Sequence, residues 1–211
     1  MNSVSSAHVE AWLRLCAKVF SEHKDALTDL DAKIGDADHG VNMDRGFSAI
    51  PPKLDPLADK SIGSLFRTSA ITLISQVGGA SGPLYGTFFL QAARLADGKT
   101  ELTLGELCGC FDMGLTGIVN LGKASLGDKT MVDVLGPALA ALRPQSDDTI
   151  ETALERAASA AREAAEATIP MIAKKGRASY LGERSAGHKD PGAASSALLL
   201  EALAETIKDS A

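Results

Sequence analysis

The sequence predicts an all-α fold in which about eight antiparallel helices form an up-and-down bundle or barrel. Apolar residues recur at helical spacing in almost every segment, and no segment shows a convincing strand-like alternation. Glycine- or proline-containing dipeptides interrupt these segments where helices would end. Helices are expected near residues 8–33, 41–50, 61–76, 84–96, 103–121, 131–142, 149–173 and 193–208.

The first four helices are predicted from their apolar patterns and from the breakers that follow them. The first has one apolar face with i, i+3, i+4 spacing, made by Val9, Trp12, Leu13, Cys16, Val19 and Phe20. Breakers end the next three helices at Pro51-Pro52, Gly78-Gly79 and Asp97-Gly98. Pro83 suits the first turn of the fourth helix. Proline has no backbone N–H, and the N–H groups of a first turn have no acceptor within the helix.

The last four helices carry clearer boundary signals. The fifth is a mainly apolar segment that ends near Gly122, and Thr130 can cap the sixth. The seventh contains ETALERAASAAREAAEA, whose alanines and Glu–Arg spacing favour a helix. Pro170 is expected to kink or fray its last turns, before Lys175-Gly176 ends it. The Asp190-Pro191-Gly192 turn opens the eighth helix.

Composition is that of an ordinary globular protein. The 211 residues fit one domain over 1–211, and 45% are hydrophobic and 23% charged. A net charge of -6 argues against nucleic acid or an acidic membrane as the main partner. Cys16, Cys108 and Cys110 do not have the spacing of a zinc site, and buried reduced thiols are expected. Without a signal peptide or a membrane-length apolar run, we expect a cytoplasmic protein.

Four unusual connections follow the first, third, fifth and seventh helices. They are IGDADHGVN at 34–42, GGASG at 78–82, GKASLGDKT at 122–130 and GRASYLGERSAGHKDPG at 176–192. Alternate connections of an up-and-down bundle lie at the same end, so these four should converge. The fourth is either a basic, glycine-hinged loop that closes over a charged ligand or a mobile solvated loop.

Three carboxylates lie close together in the first connection, and they point to a metal. Asp31, Asp36 and Asp38 fall within eight positions, where like charges repel unless a cation lies between them. Oxygen ligands without cysteine favour Mg²⁺ or Ca²⁺, and Asn42 stands where an EF-hand would need glutamate. The alternative is a solvated acidic turn in which Asp36 and Asp38 cap the next helix.

The other connections carry weaker signals. The backbone N–H groups around Ser81 could bind an anion at a helix start, or GGASG could simply be a tight turn between packed helices. GKASLGDKT is one residue too long for a phosphate-binding P-loop and follows no strand. Neither His39 nor His188 has a neighbouring nucleophile motif, so no covalent catalytic residue is predicted.

Taken together, the four connections resemble a known family. IGDADHGVNM, GGASGPLYGTFF, GKASLGDKTMVDV and KKGRASYLGERSAGHKDPGA occur in the order found in the nucleotide-binding L subunits of bacterial dihydroxyacetone kinases. The resemblance covers essentially the whole chain. It implies a barrel of eight antiparallel helices with the nucleotide site at one end, which agrees with the predicted helices and the expected convergence.

The resemblance also implies a role for individual residues. Asp31, Asp36 and Asp38 match positions that hold two Mg²⁺ ions. The positions that match phosphate contacts are His39, Gly40, Val41, Asn42, Ala80 and Ser81. The positions that match contacts to the rest of ADP or ATP are Gly122, Met131, Arg177, Asp190, Pro191 and Gly192.

The function implied is that of a phosphotransferase subunit. The family's substrate is held on a separate K subunit, and in one branch an M subunit of the phosphotransferase system rephosphorylates the bound ADP. A homodimer is left open. One alternative is the L component of an ATP-dependent kinase for a four-carbon ketose. Another is a nucleotide-sensing regulatory module that binds a transcription factor and transfers nothing.

Overall fold

The computed structural model describes residues 3–146 and 148–210 and confirms the all-α class. Helices account for nearly all of its regular structure. In chain order they are α1 (Ser6–Glu22), α2 (Lys24–Ile34), α3 (His39–Ser48), α4 (Pro51–Leu54), α5 (Ile62–Gln76), α6 (Ser81–Leu95), α7 (Leu104–Gly122), α8 (Val132–Leu142), α9 (Ile150–Ala167) and α10 (Pro191–Lys208). A 3₁₀ segment, Arg177–Ser185, precedes α10.

Eight of the described helices form a closed ring. α1 packs on α3 and α3 on α5, and each helix from α5 to α10 packs on the next. The ring closes because α10 packs back on α1. Helices α2 and α4 lie outside this ring, so the predicted number of main helices agrees with the barrel. Among the described residues, no helix is both long and apolar enough to cross a membrane.

Trp12 lies at the centre of the core and joins several helices of the ring. Its ring centroid lies 5.8 Å from that of Phe89 on α6 and 5.9 Å from that of Phe111 on α7. Its Nε1 donates a hydrogen bond to the Leu199 carbonyl of α10, at 2.9 Å. Aromatic pairs of this kind add about 0.5–1.5 kcal/mol each beyond the area they bury. The core therefore holds the ring closed between α1 and α10.

The predicted first helix, 8–33, is wrong in one respect, because the chain turns at His23. Nδ1 of His23 lies 2.9 Å from the Val19 carbonyl, and its backbone φ and ψ of -97° and 7° are not helical. Two helices therefore replace the long one. The break carries no Gly or Pro, so the local pattern did not signal it. The new helix, α2, carries Asp31 on its last turn.

Other boundaries also differ from those predicted. α9 ends at Ala167 and not near 173, in keeping with the expected effect of Pro170. The helices expected from 41, 84 and 193 begin earlier, at His39, Ser81 and Pro191, and Pro51 opens the short α4 directly after the predicted stop. Part of the connection 176–192 is 3₁₀ helix.

A small sheet was not predicted. β1 (Ser3–Ser5) and β2 (Glu101–Thr103) pair antiparallel, with Val4 opposite Leu102. Strands of three residues are too short to show a period of two in the sequence. The sheet brings the start of α1 next to the start of α7.

Candidate functional site

The three aspartates that the sequence singled out meet at one end of the ring. Asp31 projects from the last turn of α2 and is 7% exposed, whereas Asp36 and Asp38 lie in the connection to α3 and are exposed. One ligand atom from each carboxylate lies within 4.8 Å of the other two. Three negative charges at this separation repel one another, so the cluster is suited to a cation.

The connection from α2 to α3 is held in shape by Asp31. Its Oδ2 accepts hydrogen bonds from the backbone N–H of Asp38 at 2.9 Å and of His39 at 3.2 Å. A Cβ at Gly35 would collide with the Asp31 carboxylate, so this position requires glycine. Ala37 has a φ of 59°, a left-handed conformation that non-glycine residues rarely adopt. Tight local geometry therefore brings the carboxylates together.

His39 lies beneath the aspartates in a buried hydrogen-bond network. Its Nδ1 lies 3.2 Å from Ser81 Oγ and its Nε2 lies 2.9 Å from Ser195 Oγ. Ser195 Oγ in turn lies 2.7 Å from the hydroxyl of Tyr85. Burial lowers the pKa of His39, although the carboxylates of Asp31 and Asp38 oppose that shift. The network fixes the imidazole between α3, α6 and α10.

The turn before α6 forms the next side of the site. Gly79 has a φ of 64°, and a Cβ at Gly78 would press on the Asn42 side chain. The Oδ1 of Asn42 accepts a hydrogen bond from Arg45 Nη2 at 2.5 Å and from the Gly78 N–H at 3.3 Å. Because α6 begins at Ser81, its first unpaired N–H groups lie at the site, and a helix N-terminus attracts anions.

The connection after α9 forms a further side of the site. Nη2 of Arg177 lies 2.9 Å from Asp36 Oδ2 and links the 3₁₀ segment to the acidic cluster. Asp190 caps α10 by accepting a hydrogen bond from the Ala193 N–H at 2.7 Å. Burial raises the pKa of Asp190 to about 7. These contacts join the connection 176–192 to the acidic cluster and to α10. Both alternatives for this connection, a loop that closes over a charged ligand and a mobile solvated loop, stay predictions.

All four connections surround one cavity of about 340 Å³, a volume within the range of small-molecule sites. Apolar side chains line part of it: Leu84, Ile118 and Val132. The predicted site residues that line it are Asp31, Asp36, Asp38, His39, Ala80, Ser81, Gly122, Met131, Arg177, Asp190, Pro191 and Gly192. The convergence expected from alternate connections is therefore present.

Three predicted phosphate contacts do not line this cavity. Gly40 is buried, where a Cβ would collide with the Lys24 carbonyl, and Val41 is exposed on the surface of α3. Asn42 is engaged with Arg45 and Gly78. Their positions on the first turn of α3 place them next to His39, and a direct role for them in ligand binding stays a prediction.

The comparisons with known proteins decide the family. A family model described as the DAK2 domain matches residues 33–205, which is most of the chain. The chain belongs to the DAK2-domain family. The relation predicted from the four motifs is thereby confirmed.

Relatives of this DAK2 domain include whole subunits and parts of longer kinases. It is 49% identical to the "PEP-dependent dihydroxyacetone kinase, ADP-binding subunit DhaL" of Escherichia coli, with 98% of this chain and 100% of that protein covered. A second ADP-binding DhaL subunit, from Listeria innocua, is 43% identical, with 99% and 96% covered. The L-erythrulose 1-kinase of Mycolicibacterium smegmatis is 35% identical, with 95% of this chain but 35% of that protein covered.

A solved structure supports the same fold. The dihydroxyacetone kinase of C. freundii, in complex with AMP-PNP and Mg²⁺, matches 97% of this DAK2 domain with a TM-score of 0.73 and 31% identity. The match covers 34% of that longer chain. The relation therefore holds for one part of the C. freundii kinase.

The donor groups of the DAK2 domain fit a divalent metal ion next to an anionic ligand. The acidic cluster offers carboxylate oxygens, which are hard ligands suited to Mg²⁺. The guanidinium of Arg177 supplies one positive charge against three carboxylates. The N-terminus of α6 lines the same cavity. A metal ion held by Asp31, Asp36 and Asp38 would supply positive charge next to an anionic ligand.

Lys129 also belongs to this site, although it is not among the residues predicted from the sequence. It lines the cavity, yet its side chain is buried and points into the carbonyl groups of the connection after α9. Those acceptors lie 39 to 59 positions away in the chain. A local motif therefore contains no signal for this contact.

Proposed function

We propose that the chain is the nucleotide-binding subunit of a dihydroxyacetone kinase and acts as one domain over 1–211. The observation that carries the proposal is the acidic cluster in a cavity formed by four connections, in a chain that matches an ADP-binding subunit over its full length. The ligand would be ADP or ATP with two Mg²⁺ ions. Asp31, Asp36 and Asp38 would hold the metal.

The charges of the site support the placement of the phosphates between the acidic cluster and α6. Bound Mg²⁺ would neutralise phosphate charge that the three carboxylates would otherwise repel. Ala80 and Ser81 offer backbone N–H groups at the start of α6, and His39 is held by hydrogen bonds next to them. The first turn of α3, which includes Gly40, Val41 and Asn42, would support the same end of the ligand.

The rest of the nucleotide would lie towards the apolar part of the cavity. Gly122, Met131, Arg177 and the turn at 190–192 line the cavity together with these apolar side chains. Phosphoryl transfer depends mainly on in-line placement and charge neutralisation, so no covalent catalytic residue is required of this chain.

The sugar would be bound by another protein. In this proposal a K subunit holds dihydroxyacetone, and an M subunit of the phosphotransferase system rephosphorylates the bound nucleotide. The open end of the cavity would then face the K subunit, because the terminal phosphoryl group must reach its acceptor at bonding distance. A homodimer is left open by the proposal.

Reconstitution tests the proposal. The purified chain should bind ADP in the presence of Mg²⁺ and lose it with EDTA, as measured by calorimetry. Dihydroxyacetone phosphate should form only when the chain, a K subunit and a phosphoryl donor are combined, and not with either protein alone. Comparing phosphorylated M subunit with free ATP identifies the donor. Turnover by the single chain, or no Mg²⁺-dependent binding of ADP, would contradict the proposal.

A four-carbon ketose is a second candidate substrate, because a relative is named an L-erythrulose 1-kinase. The same reconstituted proteins distinguish the two, since the relative rates with dihydroxyacetone and L-erythrulose report the sugar pocket of the partner. If no K subunit supports transfer and the nucleotide-loaded chain binds a transcription factor, the regulatory alternative is favoured.

A further inference from the structure

Lys129 is an unusual residue because its charged group is enclosed by backbone carbonyls. Only 1% of the residue is exposed. Its Nζ donates hydrogen bonds to the carbonyl oxygens of Thr168 at 3.0 Å, Ile169 at 3.4 Å, Met171 at 3.0 Å, Ser185 at 2.7 Å and His188 at 2.5 Å. An ammonium group has three N–H donors, so the five acceptors share them.

These five carbonyls, here called the carbonyl cage, come from two stretches of chain. Residues 168–171 directly follow α9, and residues 185–188 begin with the last residue of the 3₁₀ segment. Backbone carbonyl oxygens have two lone pairs each, so they can accept from an ammonium group as well as from the backbone. The two stretches also bond directly, since the Gly187 N–H donates to the Ile169 carbonyl at 2.8 Å. The ammonium of Lys129 lies where the two stretches meet.

The position of Lys129 has a free-energy cost. Its φ of 61° places a non-glycine residue in the left-handed region. Burial lowers the pKa of Lys129, while the Asp190 carboxylate opposes that shift. A buried charge and an uncommon backbone conformation persist where the surrounding structure holds them in place. Lys129 is therefore tightly coupled to the segment 168–190.

We propose that Lys129 is a positioning residue for the nucleotide. Its ammonium fixes the segment 168–190 against the connection between α7 and α8. Met131 belongs to that connection, whereas Arg177 and Asp190 belong to the fixed segment, and all three line the cavity. Lys129 therefore sets how these two parts of the cavity lining are placed relative to each other. The inference rests on the proposed function and names a residue outside the predicted ligand contacts.

Two substitutions separate the charge of Lys129 from its bulk. Lys129→Ala empties the carbonyl cage, and Lys129→Met keeps most of the side-chain volume without the charge. The matched control is Lys174→Met, because Lys174 is exposed and its Nζ lies 3.8 Å from Asp128, joining the same two parts of the chain at the surface. We expect the Kd for ADP with Mg²⁺ to rise about tenfold in both Lys129 variants and less than about twofold in the control.

Chemical rescue distinguishes the charge from a general packing role. Ammonium or methylammonium chloride should restore much of the ADP affinity of Lys129→Ala, because a small cation can occupy the emptied cage. The same salts should not rescue Lys129→Met, whose side chain still fills the space. Choline chloride controls for ionic strength and is too large for the cage. Loss of affinity in Lys129→Ala without rescue by either small cation would overturn the proposal.

Hydrogen exchange provides a readout without nucleotide. In Lys129→Ala the amides of 168–190 should exchange faster, those of α1 should not change, and ammonium should slow exchange again. Hydrogen exchange tests the role of Lys129 even if the wild-type chain binds no ADP. Failure of the wild-type chain to bind ADP would reject the proposed function and would leave the exchange test of Lys129 valid. Three results would overturn the inference. They are unchanged exchange at 168–190, uniformly faster exchange in the whole chain, and wild-type Kd values in both Lys129 variants. If Lys129→Ala does not fold by circular dichroism, exchange and Kd in Lys129→Met decide the question.

Discussion

Asp36→Asn is expected to raise the stability of the ligand-free chain and to lower its affinity for ADP with Mg²⁺. The ligand atoms of the three carboxylates lie within 4.8 Å of one another, where two unit charges repel by about 0.9 kcal/mol at the dielectric constant of water and ~3.5 kcal/mol at an effective value of 20. The substitution removes two of the three repulsions. It also removes the exposed ion pair with Arg177, which is worth about 1 kcal/mol or less.

Without ligand, Asp36→Asn should therefore be slightly more stable than the wild type. Two repulsions at the lower value, less the ion pair, leave about 1 kcal/mol, or roughly 2–4 °C in melting temperature for a chain of this size. Metal-dependent binding should fall sharply. Residues that only orient metal ligands typically account for 10- to 100-fold in affinity, so loss of a ligand should weaken ADP binding by about 100-fold or more.

Differential scanning fluorimetry and calorimetry measure the two effects on the same samples. Asp29→Asn is the matched control, because Asp29 is an exposed aspartate of α2 and lies outside the cavity. It removes one negative charge from the helix that carries Asp31 and should leave the affinity for ADP with Mg²⁺ unchanged. Wild-type affinity in Asp36→Asn would refute the metal assignment. A large loss of ligand-free stability would refute the account of charge repulsion.

Two further predictions concern ligand and pH. ADP with Mg²⁺ at about a hundred times its Kd should add ~2.7 kcal/mol, or roughly 5–11 °C in melting temperature, and EDTA should remove the gain; melting that responds to neither would count against the site. Asp190, whose folded-state pKa is raised to about 7, keeps its proton in the folded chain at pH values where the unfolded chain has lost it. Its contribution to stability is therefore fully present below about pH 4 and lost as the pH rises to about 7. Urea unfolding should show Asp190→Asn becoming more stable relative to wild type across that range, and a constant difference would contradict this.

The sequence by itself determined the helical class, most of the ring and the order of the four connections. Helical periodicity and Gly or Pro breakers act within a few residues, so they can be recognised without a partner segment. The acidic cluster was also local, because Asp31, Asp36 and Asp38 lie within eight positions. Alternate connections share one end of a barrel, so their convergence followed from topology.

Where local signals were absent, or competed with distant contacts, only the tertiary structure decided the helix boundaries and the contacts of individual residues. The chain breaks at His23 without Gly or Pro, and the 3₁₀ segment lies in a stretch whose glycines predicted only a loop. Gly40, Val41 and Asn42 fall outside the cavity lining because α3 turns those positions towards α2, solvent and Arg45. The carbonyl cage of Lys129 joins residues up to 59 positions apart. Such a contact depends on how the ring closes, because backbone carbonyls are present at every residue and only folding selects which five surround an ammonium group.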